Sequence, residues 1–308
     1  MHTRTLLNLA LTAIVIVLGL VFFYEPGSKA DSPPLTSISS DKIEAIRVIH
    51  NESHEEIHLE RKEGKWLLTA PIHGPANMLV VKTLLDVAKT KSYSHYPVQN
   101  LDLTKLGLSS PKNRLYLNDL AIDFGVTAPL NQNRYVLLAD TVHLIDNTAF
   151  HTITSAAPKF LDPALLPDHH PISRLQIPQV TISNGNPNVN PKNVITLYQK
   201  EGQWVAEGIG IDNPPSSETI ATLINAWQQY TVQQIGLKGD KTVLATIEIE
   251  QKGASPIHLD LLSDLPQLVL VRSDFGVQYN LPAPAWKTLF ELPQGDSGNN
   301  KLSSDNKK

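Results

Sequence analysis

A ten-residue phrase occurs twice in this chain and limits the available folds more than any other feature. Ile57-His-Leu-Glu-Arg-Lys-Glu-Gly-Lys-Trp66 returns as Ile195-Thr-Leu-Tyr-Gln-Lys-Glu-Gly-Gln-Trp204, identical at six of ten positions. The spacing is far longer than a solenoid period, so one supersecondary unit is used twice. In the first copy Ile57 and Leu59 alternate with polar residues, the pattern of a strand with one buried face. The Glu-Gly pair then supplies a turn, because glycine accepts a positive φ, and the tryptophan opens a return strand. Each phrase therefore predicts a β-hairpin.

The segments after the two hairpins are also alike. Pro71 and Pro75 close the first, and Asn77 is placed to cap a helix over 78–90. Leu79, Val80, Leu84, Val87 and Ala88 give that helix an apolar stripe. In the second copy, Pro214, Pro215 and Ser216 lead into a helix over 218–230, with Ile220, Leu223, Ile224 and Trp227 facing inward. Strands are expected at 114–117, 121–124, 134–138 and 142–145, and again at 242–251, 257–262, 268–272 and 277–281. A short helix is expected over 285–290.

The N-terminus suggests an address. Residues 6–24 carry no charge, and only Asn8 and Thr12 interrupt them as polar groups. At about 1.5 Å per residue that run approaches the roughly 30 Å hydrocarbon core. Arg4 precedes it while Glu25 and Asp31 come after it, a bias toward a cytoplasmic N-terminus. Ser28-Lys29-Ala30 fits a signal-peptide cleavage pattern, but the apolar run is longer than such peptides use, which favours a retained anchor.

The expected fold class is thus α+β: an N-terminal transmembrane helix followed by two tandem similar units, each an antiparallel sheet packed with a helix. The expected parts are an anchor at 1–24, a flexible linker at 25–40, repeat unit 1 at 41–167, repeat unit 2 at 168–293 and a disordered tail at 294–308. The expected location is the bacterial inner membrane, single-pass, with the C-terminal body in the periplasm.

Composition closes off several activities. The chain has no cysteine, which removes disulfides, thiol catalysis, thiolate metal sites and a lipidated terminus. Its net charge of −4 comes from mixed acidic and basic residues, without the basic patch that nucleic-acid binding needs. No G-x-S-x-G, S-x-x-K or phosphate-cradling glycine loop is present.

One short motif does invite a chemical reading. His54-Glu55-Glu56-Ile57-His58 satisfies H-E-x-x-H, in which two imidazoles bind Zn²⁺ and the glutamate activates a water. That chemistry needs residues i and i+4 on one helix face, whereas the hairpin pattern predicts a strand. In a strand the two imidazoles stand roughly 13 Å apart, too far for one zinc. The metzincin continuation fails at Arg61, and Asp86 is the only acid on the next helix. His50 and the pair His169-His170 extend the histidine series without telling partners. Asp119, Asp123, Asp260 and Asp264 read as solvated strand ends. Trp66 and Trp204 occupy equivalent positions, which favours packing over ligand stacking. No catalytic residue, metal site or cofactor is expected; His54 and His58 are the only metal candidates, and Trp66 and Trp204 the structural or interaction candidates.

Several of these residues carry a resemblance. Gly64-Lys65-Trp66-Leu67-Leu68 with Pro71, the Leu84-Leu85 helix, Leu106-Gly107-Leu108 with Pro111, Phe124-Gly125, Arg134-Tyr135-Val136 and Val142-His143-Leu144-Ile145 resemble the bacterial envelope family catalogued as domain of unknown function 4340. The resemblance covers about 43–167, and the second unit more weakly. It implies a single-anchor exported protein, in some cases beside transporter components, and brings no catalytic residues. Together these observations predict a membrane-anchored, non-enzymatic periplasmic interaction or scaffold module, auxiliary to a transporter-type or envelope assembly complex. Its expected partners are the inner membrane through residues 6–24 and another envelope protein. A ligand-binding module with a site between the units, and a zinc hydrolase at His54, Glu55 and His58, are the alternatives.

Overall fold

The computed structural model describes residues 2–23, 32–129, 131–167, 170–183, 186–208, 213–262 and 267–292. Residues 25–31 of the expected linker, the tail at 294–308, and His169 and Asp264 lie outside them.

A helix, α1 (His2–Phe23), precedes the body. The first half of the body contains β1 (Ala45–His50), β2 (Glu55–Lys62), β3 (Lys65–Ala70), β4 (Gly74–Pro75), α2 (Met78–Asp86), β5 (Ser94–Pro97), β6 (Asn113–Leu117), β7 (Leu120–Thr127), β8 (Arg134–Leu138), β9 (Thr141–Ile145) and α3 (Phe150–Ile153). The second contains β10 (Ile172–Ser183), β11 (Asn186–Lys200), β12 (Gln203–Gly208), α4 (Ser217–Gln229), β13 (Gln234–Leu237), β14 (Val243–Gln251), β15 (Ile257–Leu262), β16 (Leu268–Arg272), β17 (Val277–Leu281) and α5 (Ala285–Phe290).

The strands form two antiparallel sheets. Their orders are β4-β3-β2-β1-β6-β7-β8-β9-β5 and β12-β11-β10-β14-β15-β16-β17-β13. Apart from β4, the two orders match strand for strand. The duplicated phrase makes the β2–β3 and β11–β12 hairpins. Both turns bend in the same way, with positive φ at Glu63 and Gly64 and at Glu201 and Gly202. A left-handed pair of this kind matches the twist of the flanking strands.

The expected α+β class needs correction, since the chain is mostly β, with 45% strand and 22% helix. Helix α2 ends early. Past Asp86 the α2 backbone tightens into a 3₁₀ turn over Val87–Lys89, while β10 and β11 run to 12 and 15 residues. The expected transmembrane helix is corrected too: among the described residues, no helix is long and apolar enough to cross a membrane. The end of the expected linker is ordered. Leu35 is buried, its N–H donates to Thr90 O at 2.8 Å, and Pro34 bridges Lys91.

Caps fix the two body helices. Asn77 Oδ1 accepts from Leu79 N at 3.0 Å and Val80 N at 3.4 Å, and Ser216 Oγ accepts from Thr219 N at 3.2 Å. The inward residues Val80, Val81 and Leu84 of α2, and Ile220, Leu223, Ile224 and Trp227 of α4, join one apolar cluster running from Leu35 to Phe290. Strand β16 is buried at all five positions. Its Leu268 and Leu270 face that cluster, while Val269 and Val271 pack with Leu262 on the opposite face. A strand covered on both faces needs an apolar run such as Leu268–Val271, which Arg272 closes.

Two of the motifs behind the family resemblance form one physical joint. A Cβ on Gly125 would come within 2.2 Å of Leu106 O, so only glycine lets β7 lie this close to the preceding loop. Val126 N donates to the same carbonyl at 2.9 Å.

Candidate functional site

The H-E-x-x-H segment is not a helix. His54 sits in a turn at φ 58°, and β2 begins at Glu55. Along β2 the residues alternate between faces, so Glu55 joins Ile57 and Leu59 on the inner side while Glu56 and His58 face outward. His58 Nε2 lies 3.2 Å from Glu56 Oε2, and His58 stands opposite Arg47 in the ladder. The glutamate and the second histidine of the motif therefore point to opposite sides of the sheet, where they cannot share a metal and its water.

Glu55 instead holds a backbone latch. Its Oε2 lies 3.0 Å from Nδ1 of buried His50, and its Oε1 accepts from Ala157 N at 3.3 Å. His50 Nε2 in turn donates to Ile153 O at 2.6 Å. Two adjacent strands thus grip the end of α3 and the segment that follows it. Among the described residues no three His, Asp or Glu side chains converge as a metal site.

Trp66 and Trp204 are not equivalent in burial. Trp66 is buried at 6% exposure in the main cluster, and its carbonyl accepts from Ala76 N at 3.0 Å. Trp204 is half-buried against that cluster, and its N–H donates to Ser217 Oγ at 2.9 Å. Both side chains pack. Asp123 departs from its expected place at a solvated strand end: it is buried, and Arg114 grips both carboxylate oxygens. The hydrogen bonds to Asp123 raise the already high Arg114 pKa further against the opposing effect of burial.

The seam between the sheets offers the clearest concave surface. The segment after α3 is tied to both halves through its main chain. Asn77 N donates to Phe160 O at 2.7 Å and Asp162 N to Pro75 O at 2.9 Å, on the first side. On the second, Leu165 N donates to Tyr230 O at 2.9 Å and Val232 N to Pro163 O at 2.7 Å. Beside this connector lies a cleft of about 910 Å³. Leu79 and Lys159 form one wall, and Gln234, Ile235 and Asn280 the other. The lining mixes apolar surface with uncharged hydrogen-bonding groups, and among the described residues Lys159 is its one permanently charged side chain.

Strand β13 borders that cleft and is the last strand of its sheet, paired only with β17. Lys238 N donates to Gly276 O at 3.0 Å, which places Lys238, Gly236 and Gln234 in the hydrogen-bonded pairs of this ladder. By the alternation of antiparallel pairing, Ile235 and Leu237 direct their N–H and C=O groups to the free edge. Leu237 is 65% exposed there. None of these positions stands out in the sequence, where Gln233, Gln234 and Lys159 look like ordinary surface residues. Comparison of the chain with protein-family profiles, curated proteins and solved structures finds no significant match.

Proposed function

We propose that this protein is a non-enzymatic interaction module of the cell envelope, and that an extended peptide segment of its partner adds to the free edge of β13 in the seam cleft. The supporting observation is that edge: a strand paired on one side only, with an exposed Leu237, bordering a cavity that mixes apolar surface with hydrogen-bonding side chains. Strand addition draws affinity from main-chain hydrogen bonds and specificity from pockets for alternate side chains. The inward turn of Glu55 weighs against the hydrolase alternative. An envelope location belongs to the same proposal and rests on the apolar N-terminal run and the family resemblance.

The test is site-specific photo-crosslinking in cells from position 233, beside Leu237→Pro. Proline removes one outward donor without touching the β17 ladder, and an edge strand tolerates it. The expected result is a discrete crosslinked partner that disappears in Leu237→Pro while the circular dichroism is unchanged. A partner captured equally by both forms, or none from this position, defeats the reading.

A further inference from the structure

The second half of the molecule shows what this fold requires at the outer corner of the first. Strands β5 and β13 hold the same place in their sheets, each last in order and paired with one neighbour, β9 and β17. Isolated bridges at Lys91 and Thr231 precede the two strands at the same spacing and align them residue by residue. Beside β13 the corner is closed by packing: Val232 is buried just before the strand, and Ile235 stands opposite the buried Tyr279. The matching positions beside β5 are Ser92, His95 and His143, with His95 opposite His143 in the ladder. The fold therefore closes this corner without any imidazole, and the first half places two there.

The two rings share one face of the sheet, their centres 6.2 Å apart and their planes inclined at 35°. Side chains directly opposite in an antiparallel pair have Cβ atoms about 4.5–5.5 Å apart, a spacing that lets two imidazoles converge on one ion. Bonds of about 2.1 Å from both nitrogens to a tetrahedral ion set the ring centres about 5 Å apart, so the pair must close by about 1 Å. His95 can make that movement: it is exposed and carries no hydrogen bond among the described residues. His143 is the fixed partner. Its Nδ1 lies 2.9 Å from Ser92 Oγ, and the Ser92 hydroxyl donates to Ser94 O at 3.4 Å. The serine oxygen therefore accepts from Nδ1–H, and Nε2 keeps its lone pair. A ligating imidazole is held in this way, by a hydrogen bond at the nitrogen the metal does not use. Among the described residues the enclosed side-chain atoms without a partner are Ser40 Oγ and Arg272 Nη1, so Nε2 of His143 is open to solvent.

We propose that the β5–β9 corner binds a divalent late transition-metal ion of the Zn²⁺ type through Nε2 of His143 and a ring nitrogen of His95, with water completing the coordination. Imidazole suits such ions, whereas Mg²⁺ and Ca²⁺ take oxygen ligands. The ion ties the last strand of this sheet to its neighbour, as Ile235 against Tyr279 does by packing in the other. The site lies in the other sheet from β13 and five strands away from His58 on β2, so it stands or falls independently of both.

The experiment is calorimetric titration of the full chain with Zn²⁺ and, separately, with Mg²⁺, at about pH 7.5 where imidazole is neutral. The chain carries 11 histidines, so variants locate the site. Zn²⁺ is expected to saturate a site that His95→Ala weakens at least tenfold, while Mg²⁺ gives no such signal. His95 is exposed, so its removal leaves the fold intact, which circular dichroism checks. Ser92→Ala frees the His143 ring without removing a nitrogen and should weaken Zn²⁺ about tenfold. His58→Ala, on the outer face of β2, should leave the affinity unchanged. No saturable Zn²⁺ binding, Mg²⁺ binding of equal strength, undiminished affinity in His95→Ala, or an equal loss in His58→Ala overturns the assignment.

Discussion

Replacing Glu55 separates the latch from any metal chemistry. In Glu55→Ala, His50 Nδ1 and Ala157 N both lose their acceptor, while His50 stays buried and tied to Ile153 O. A hydrogen bond to a charged group contributes about 1.5–3 kcal/mol and a weaker one about 0.5–1.5. The Ala157 contact is long at 3.3 Å, and the Glu55 side chain is 28% exposed, so water replaces part of what is lost. The net destabilisation is therefore about 2–3 kcal/mol. With a urea slope of roughly 3 kcal/mol/M, the midpoint falls by about 1 M at unchanged slope. Glu55→Gln should lose less than about 1 kcal/mol. Its amide oxygen still accepts from Ala157 N, and its amide N–H donates to Nδ1 once the ring keeps its hydrogen on Nε2. Urea denaturation followed by tryptophan fluorescence measures both. An alanine variant within about 0.5 kcal/mol of the parent, or a glutamine variant as unstable as alanine, refutes the latch. A zinc hydrolase would give the opposite pattern, with glutamine inactive and stability unmoved.

Two further outcomes can be measured alongside. Trp66→Ala should destabilise by about 3–5 kcal/mol and Trp204→Ala by clearly less, because only Trp66 is fully enclosed; equal losses in thermal or urea melts would contradict the packing described. His143 should make the fold acid-sensitive. Burial first, and then the neighbouring His95, pushes its imidazole below the ordinary 6.5. The unfolded chain then binds the extra proton first, so the contribution is present above pH 6.5 and lost as pH falls below it. His143→Gln should flatten the decline in melting temperature between about pH 7 and 5, and an unchanged decline assigns the effect elsewhere.

The sequence discloses local structure well and long-range partnerships poorly. The Glu-Gly turns are legible because only certain residues accept positive φ, and the caps at Asn77 and Ser216 because their side-chain oxygens have one common use before a helix. Strand β10 is hidden, since Pro178 interrupts its alternation; in the fold that proline sits at a register shift against β11, where a ladder tolerates it. Glu55 looks catalytic because its spacing to His54 and His58 is visible, whereas Ala157, whose N–H it holds, lies 102 positions away. His95 and His143 look like unrelated surface histidines for the same reason: only the β5–β9 ladder sets them opposite each other.

The connector through Phe160 and Leu165 has a consequence for how the molecule comes apart. Its main chain completes hydrogen bonding on two fronts, and Phe160, Leu161, Leu165 and Leu166 fill an interior that belongs to neither half alone. A protease that nicked the chain there would not liberate two durable fragments. Each would be left with orphaned amides along one border and a greasy wall facing water, so the ancestral-looking duplication has become a single indivisible body.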